Sequence, residues 1–525
     1  MEAKKENLGK VLVVCKELYT YPMSILTSEL LKQGYCVEAI FVHPTETTLK
    51  NHSYLNFKEQ NNITIHTFDD ELECFWNNHK RASEFLDHDY LKNIELRYMQ
   101  EVTLGVVLMS TQLFTTAYHG RFYFKDLNYS EQLYWLQLVF KKVEKILFEG
   151  KYTRIVDIDI SELARTCLAL VSDLVGVPYV TLESSRYKSI FLPTTTMGRK
   201  VDNYFLRSYQ SPIPASSRSI EEVLSFRGSQ NIMIPDYAFN STSNKKTSFI
   251  YKLRSLLSRL RVLTERWKSN RSKLTIFKKK PMVASLMDSY WFFIKVFYRD
   301  VFLASKCNKY FIKPDLSKDY LYFPLHLIPE STTLVKAPFY PNELSVIEAI
   351  SKSLPLGMML FVKEHPAMIG EREFSFYKKI VHLPNVVLID PISAPDIKEM
   401  ILQSHGVATL TGTSAFEAAM LGKPAVMFGT SFFEVIEGIY KVGKFDELPG
   451  IINMIINTSL DNVQSCAKYL DSLDDYGETF PIIEVLVKSR SYSFGGLDNN
   501  LLLKKHINSL ADLLFKDIHV GRNID

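Results

Sequence analysis

Two short runs and one carboxylate in this 525-residue chain place groups that hold or move charge where a ligand could meet them. Lys363-Glu364-His365-Pro366 sets a cation, a carboxylate and an imidazole side by side, and the proline stiffens the turn that presents them. Thr411-Gly412-Thr413-Ser414 combines hydroxyls with a glycine just ahead of a helical pattern. Small residues there let a phosphate approach the free amides of a helix N-terminus, with the hydroxyls adding further bonds. The same four residues also make an ordinary N-cap. Glu417, one turn into that helix, either bonds a ribose hydroxyl or sits there because the helix dipole favours a carboxylate.

A second set of candidates lies in the first half of the chain. Asp157 and Asp159 close the apolar run 155–158, and Glu183 follows the run 179–182. Each could serve as the carboxylate that takes a proton from an attacking hydroxyl, or as a nucleophile. Asp159-Ile160-Ser161-Glu162 also has capping-box spacing, so Asp159 is equally readable as a helix start. Arg186 could grip a sugar carboxylate through its planar fork or be a surface cation.

These residues need a scaffold, and the hydropathy pattern specifies one. Apolar runs at 11–14, 37–42, 155–158 and 179–182 alternate with helical periodicity at 24–33, 132–148 and 162–174, which predicts parallel strands with helical crossovers. After residue 320 the alternation returns. Strands are expected at 320–325, 358–362, 386–389, 406–410 and 425–428, with helices starting near Glu343, Glu373, Pro395 and Ser414. Ser393-Ala394-Pro395-Asp396 reads as a capped helix start. Ligands of such sheets bind beyond the carboxyl ends of the strands. That rule selects the loops bearing His365 and residues 411–414, expected to be adjacent and to converge on one phosphate.

The predicted fold class is therefore α/β and GT-B-like, with two Rossmann-like β/α domains facing a cleft. Its expected parts are an acceptor-side domain over 1–210, a basic helical interdomain segment over 211–310, a nucleotide-sugar-binding domain over 311–440 and a helical tail over 441–525.

The runs Phe361-Val362-Lys363-Glu364-His365-Pro366, Leu383-Pro384-Asn385-Val386, Thr411-Gly412-Thr413-Ser414-Ala415-Phe416-Glu417-Ala418 and Leu421-Gly422-Lys423-Pro424 together resemble the bacterial capsule polysaccharide biosynthesis family. That resemblance implies a glycosyltransferase using a CMP-activated sugar such as Kdo, and a His-Pro pair also marks several bacterial sialyltransferases. It implies that His365 contacts the nucleotide phosphate, that Thr413 and Ser414 cradle it, and that Glu417 faces the nucleoside. The chain departs from the family in carrying Phe323-Pro324-Leu325-His326 where relatives tend to carry glutamine. A sugar-nucleotide epimerase of the same architecture and a non-catalytic capsule assembly component are the competing readings.

Composition limits the remaining choices. Hydrophobic residues make up 46% and charged residues 23%, which suits a chain folded throughout. The six cysteines are scattered without zinc spacing and read as reduced core thiols; neither a metal nor a bound cofactor is expected. The apolar run 284–305 is broken by Asp288, Lys295, Arg299 and Asp300, so a spanning helix is not expected. With no export signal, the expected location is cytoplasmic. Between residues 241 and 280, thirteen Lys or Arg face Glu265 alone, giving that segment +12 and the rest −8. Such a block fits either a solvated helix pair or, from Lys245 to Lys280, an anionic membrane surface on the inner face of the plasma membrane. No nucleic-acid module accompanies it. The expected partners are a nucleotide sugar and a glycan or glycolipid acceptor.

Overall fold

The computed structural model describes residues 8–517 except 44–45, 48–49, 99–102, 115–123, 125–126, 162, 230–248, 275–285, 329, 366–367, 369–371, 391–395, 458 and 494–500. Pro366, the capping residues 393–395 and Lys245, Lys246 and Lys278 to Lys280 of the basic block lie outside the described residues.

Thirteen strands among the described residues form two sheets. In chain order they are β1 (Lys10–Cys15), β2 (Cys36–Phe41), β3 (Ile65–His66), β4 (Arg154–Val156), β5 (Tyr179–Ser184), β6 (Ile190–Thr194), β7 (Tyr320–Pro324), β8 (Met359–Lys363), β9 (Val386–Ile389), β10 (Gly406–Thr409), β11 (Ala425–Met427), β12 (Ile439–Lys441) and β13 (Glu478–Thr479). The first sheet has the order β13-β6-β5-β4-β1-β2-β3 and the second β12-β11-β10-β7-β8-β9. The second is parallel throughout. Its central strands are covered on both faces, so they read as continuous apolar runs: Tyr320, Leu321, Tyr322 and Phe323 are all buried.

The first sheet departs from the all-parallel expectation. β5 and β6 are antiparallel, and β6 pairs antiparallel with β13 from the far end of the chain. The second sheet gains β12 at the end of its domain, and the tail, expected to be helical, contributes β13 to the first sheet. Helices Ile482–Ser493 and Leu501–Phe515 then pack against helix Thr20–Gln33 of the first half. Arg154 Nη1 donates to the Leu514 carbonyl at 2.6 Å, tying the last helix to the start of β4.

Local signals explain most helix boundaries. Helix Tyr129–Gly150 starts at a capping box between Asn128 and Glu131 and buries Leu133, Leu136, Val139, Phe140 and Val143 on one face. Helix Ser217–Gly228 crosses to the second half. Its Arg227 donates to the Met420 carbonyl at 3.0 Å and to Asn462 Oδ1 at 2.7 Å, while Asp471 accepts from the Ser216 and Ser219 hydroxyls, each at 2.6 Å. The cysteines form no disulfide, and Cys36 is exposed rather than in the core.

Candidate functional site

The second sheet reverses its winding at β7, which lies between β10 on one side and β8 on the other. The loops carrying residues 411–414 and His365 are therefore not neighbours, as the sequence suggested. The end of β7 separates them and supplies His326, which links the two sides.

His326 is held at three points. Glu343 Oε1 accepts from its backbone N–H at 2.7 Å and from Nδ1 at 2.9 Å, and Nε2 lies 2.9 Å from Thr409 Oγ1. Burial opposes ionisation of Glu343, but the Arg372 guanidinium 2.7 Å away and His326 hold its carboxyl below the usual range. As a carboxylate it can only accept, so Nδ1 carries a proton and donates to it, while Nε2 shares a hydrogen bond with the Thr409 hydroxyl. Thr409 Oγ1 in turn accepts from the Gly412 amide at 3.0 Å. This chain from Glu343 through His326 and Thr409 fixes the turn ahead of helix Thr413–Met420. A Cβ on Gly412 would collide with Thr409 Oγ1 and press to 3.1 Å from His326 Nε2, so the closeness itself demands glycine.

The turn is built but incompletely satisfied. The Ala415 amide bonds the Gly412 carbonyl, leaving the Thr413 and Ser414 amides at the first helical turn, where no intrahelical acceptor exists. Ser414 Oγ is buried and has no hydrogen-bond partner among the described residues. Buried hydroxyls are rarely left so, and this one marks a place where an acceptor belongs.

Arg372 joins the same cluster, pairing with Glu364 Oε2 at 3.0 Å and donating to the His326 carbonyl at 2.6 Å. Glu364 also accepts from the Tyr377 hydroxyl at 2.7 Å and from the His365 amide at 2.6 Å. His365 is half-buried beside it. Burial lowers its pKa below 6.5, His326 and Arg372 push the same way, and Glu330 opposes them. The lowered pKa favours the neutral form of the imidazole.

On the other flank, Lys363 ends β8 near Asp396 and Glu417. Burial lowers the Lys363 pKa, with both carboxylates opposing. Burial pushes Glu417 up to about 7, Asp396 adds to this and Lys363 opposes it. Lys423 donates to the Ser404 carbonyl at 2.9 Å, capping the preceding helix Ile397–Gln403.

In the first half the carboxylates are differently placed. Asp157 is fully buried in a two-pronged pair with Arg165, at 2.7 and 2.9 Å, and accepts from the Tyr179 hydroxyl at 2.6 Å. Burial raises its pKa against Arg165. Asp159 takes the third guanidinium nitrogen at 2.8 Å and the Ser161 hydroxyl at 2.5 Å. Burial acts to raise its pKa, but Arg165 and Lys16 prevail and hold it below the usual range. Its side chain is 16% exposed, against 1% for Asp157. Glu183 lies within β5, not after it, and is 3% exposed. It accepts from Lys336 Nζ at 2.5 Å and Ser431 Oγ at 3.3 Å, both in the second half. Gly198, at φ +68°, leaves no room for a Cβ beside this pair. Burial depresses the Lys336 pKa against the opposing Glu183, and Arg186 lies near enough to depress it further.

Glu183 lies near the carboxyl end of β5 in the first sheet, whereas Lys336 and Ser431 follow β7 and β11 of the second. Their contact shows that the carboxyl edges of the two sheets face each other. The sequence reading missed His326, Glu343, Arg372 and Lys336. His326 was findable, since it follows β7 at the same edge that selected His365; the others depend on contacts between distant segments. It also missed Glu46 beyond β2, where burial pushes the carboxyl up to about 7 and Oε2 has no hydrogen-bond partner among the described residues.

No curated protein matches the chain. Among solved structures it is similar to Thermosulfurimonas dismutans KpsC, beta Kdo 2,7 transferase, at 14% identity and a TM-score of 0.28, covering 63% of this chain and 80% of that one. It is also similar to the Methanocaldococcus jannaschii UDP-GlcNAc 2-epimerase in complex with UDP-GlcNAc and UDP, at 12% identity and a TM-score of 0.26, covering 89% and 99%. Likeness at this level bears on neither reaction nor ligand. Residues 339–447, which hold His365, the 411–414 turn and Glu417, match the family model described as capsule polysaccharide biosynthesis protein, and over that segment the resemblance read from the motifs is borne out.

Proposed function

We propose that this chain is a glycosyltransferase that moves a sugar from a nucleotide donor onto a growing surface polysaccharide or its lipid-linked primer. The observation that carries the proposal is the buried, unpartnered Ser414 hydroxyl beside the Thr413 and Ser414 amides, on an edge that faces the edge of the other sheet. The donor phosphate sits against this turn with His365 across from it, and Glu417 and Lys363 take the nucleoside end. The motif resemblance favours a CMP-linked donor of Kdo or sialic-acid type.

Charge development dictates the division of labour. As the bond from sugar to phosphate breaks, negative charge grows on the leaving oxygens, and the amides, the Ser414 hydroxyl and a His365 that gains a proton on donor binding stabilise it. The mechanism uses no metal ion. Asp159 is the acceptor-side base, because its carboxylate alone of Asp157, Asp159 and Glu183 has appreciable exposure. Asp157 positions Arg165, and Glu183 holds the two halves in register through Lys336.

The test is a thermal-shift screen of CMP-, CDP-, UDP- and GDP-linked sugars followed by transfer assays, since a ligand of the folded state raises its stability. A CMP-linked donor is expected to stabilise the wild type, and His365→Ala to keep the fold while losing transfer. Wild-type transfer by that variant sinks the site assignment. Epimerisation of a sugar nucleotide in the absence of acceptor sinks the transferase reading.

A further inference from the structure

The described part of the basic block lies in helix Phe249–Leu274, which packs antiparallel against helix Leu286–Tyr298 as a hairpin. The Phe249 ring meets Phe297 at 5.9 Å, the Arg259 guanidinium lies 5.8 Å over the Phe293 ring, and the Thr264 and Tyr290 hydroxyls are hydrogen-bonded. These contacts use one face of each helix. On the second helix and its continuation, Trp291, Ile294, Tyr298 and Phe302 recur at i, i+3, i+7 and i+11 as one stripe, from 40% exposed at Ile294 to 60% at Trp291. On the first, Ile250, Leu253 and Leu257 form a similar exposed stripe. Arg254, Arg261 and Lys268, at i+4, i+11 and i+18 from Ile250, run along it and are exposed.

Water-facing Trp, Tyr, Phe and Leu beside cations do not suit a merely solvated helix pair. Rings with an apolar body and a polar tip settle at the level of lipid headgroups, and the neighbouring cations meet the phosphates there. A second copy of the chain is a poor occupant, because it would bring two segments of +12 together. Among the described residues no helix is long and apolar enough to cross a membrane.

We propose that this hairpin docks the protein flat on an anionic bilayer surface. Trp291, Tyr298 and Phe302 enter the headgroup layer, and Arg254, Arg261 and Lys268 pair with lipid phosphates. The proposal is independent of the transfer reaction, and its test needs no nucleotide.

The experiment is flotation of the full chain with phosphatidylcholine vesicles, alone or with about 30% phosphatidylglycerol, at about 50 mM and about 500 mM salt. Wild type is expected to float only with the anionic vesicles, more weakly at high salt, and with a blue shift in tryptophan emission that Trp291→Phe diminishes. The triple variant W291S/Y298S/F302S is expected to lose roughly ten- to a hundred-fold in vesicle affinity, and R254E/R261E a similar factor at low salt. These side chains are exposed, so both variants should keep the wild-type melting midpoint. Failure of the wild type to float at low salt overturns the proposal. Unchanged binding by the triple variant overturns insertion, and a wild-type dimer that the triple variant dissociates assigns the face to self-association instead.

Discussion

The two sheet edges that face each other are built on opposite principles. At the second sheet, one polar group is positioned but left open: Ser414 Oγ has no partner among the described residues. At the first sheet, charges are positioned and already paired: Asp157, Asp159 and Arg165 satisfy one another, and Glu183 is closed by Lys336. An open group costs stability until a ligand arrives, whereas a paired group stabilises the fold in the ligand's absence. The difference teaches that a carboxylate at a strand end is not by that fact a base, and that the donor side is where binding energy can be gained.

The largest effect expected is on the paired side. Asp157→Ala leaves a buried guanidinium short of its main partner and should cost about 3–5 kcal/mol in urea unfolding. A variant as stable as wild type would break the comparison. On the open side, Ser414→Ala removes a group that lacked a partner, so stability should stay within about 0.5 kcal/mol while transfer falls roughly a hundred-fold. Loss of stability without loss of transfer would reverse the assignment.

Glu417 sharpens the contrast by pH. Its carboxyl titrates at about 7 in the fold against an ordinary 4.5, so the folded state binds more protons between those values. The stability it lends is full below 4.5 and is lost as pH rises through 7. Glu417→Gln should therefore exceed wild type by about 1–3 kcal/mol near pH 8 and match it below 4.5, as read from denaturation at both values.

The smallest effect concerns His365. Its pKa is held below 6.5 in the free protein, and the proposed donor site requires it to take up a proton when a phosphate binds beside it. Donor affinity measured by calorimetry should then rise as pH falls through that window, by at most about tenfold per unit. A His365→Gln variant should show a flat profile, and a slope that persists would point to another group.

Much of the second sheet was legible because its strands are buried on both faces and its helices are amphipathic, so two different periodicities alternate cleanly between 320 and 428. β12 escaped because Ile439-Tyr440-Lys441 is too short to show a pattern, and β13 because Glu478-Thr479 is polar and paired only through a distant partner. At the site, His365 and the 411–414 turn could be read from their strand ends. Their bridge through His326 could not, because strand order decides it and the sequence does not display strand order. The pairing of Asp157 with Arg165 was hidden for a related reason: eight residues apart across a turn, they could as well have pointed away from each other.

The return of the chain to its first sheet bears on how the protein is made. β6 has no outer neighbour until β13 has been synthesised, and the helices that cover helix Thr20–Gln33 come later still. A nascent first half therefore waits with an unpaired strand edge while the entire second half is translated, which is a standing invitation to mispairing. Truncation before residue 478 should accordingly appear as aggregation of the N-terminal half, not as loss of a dispensable end.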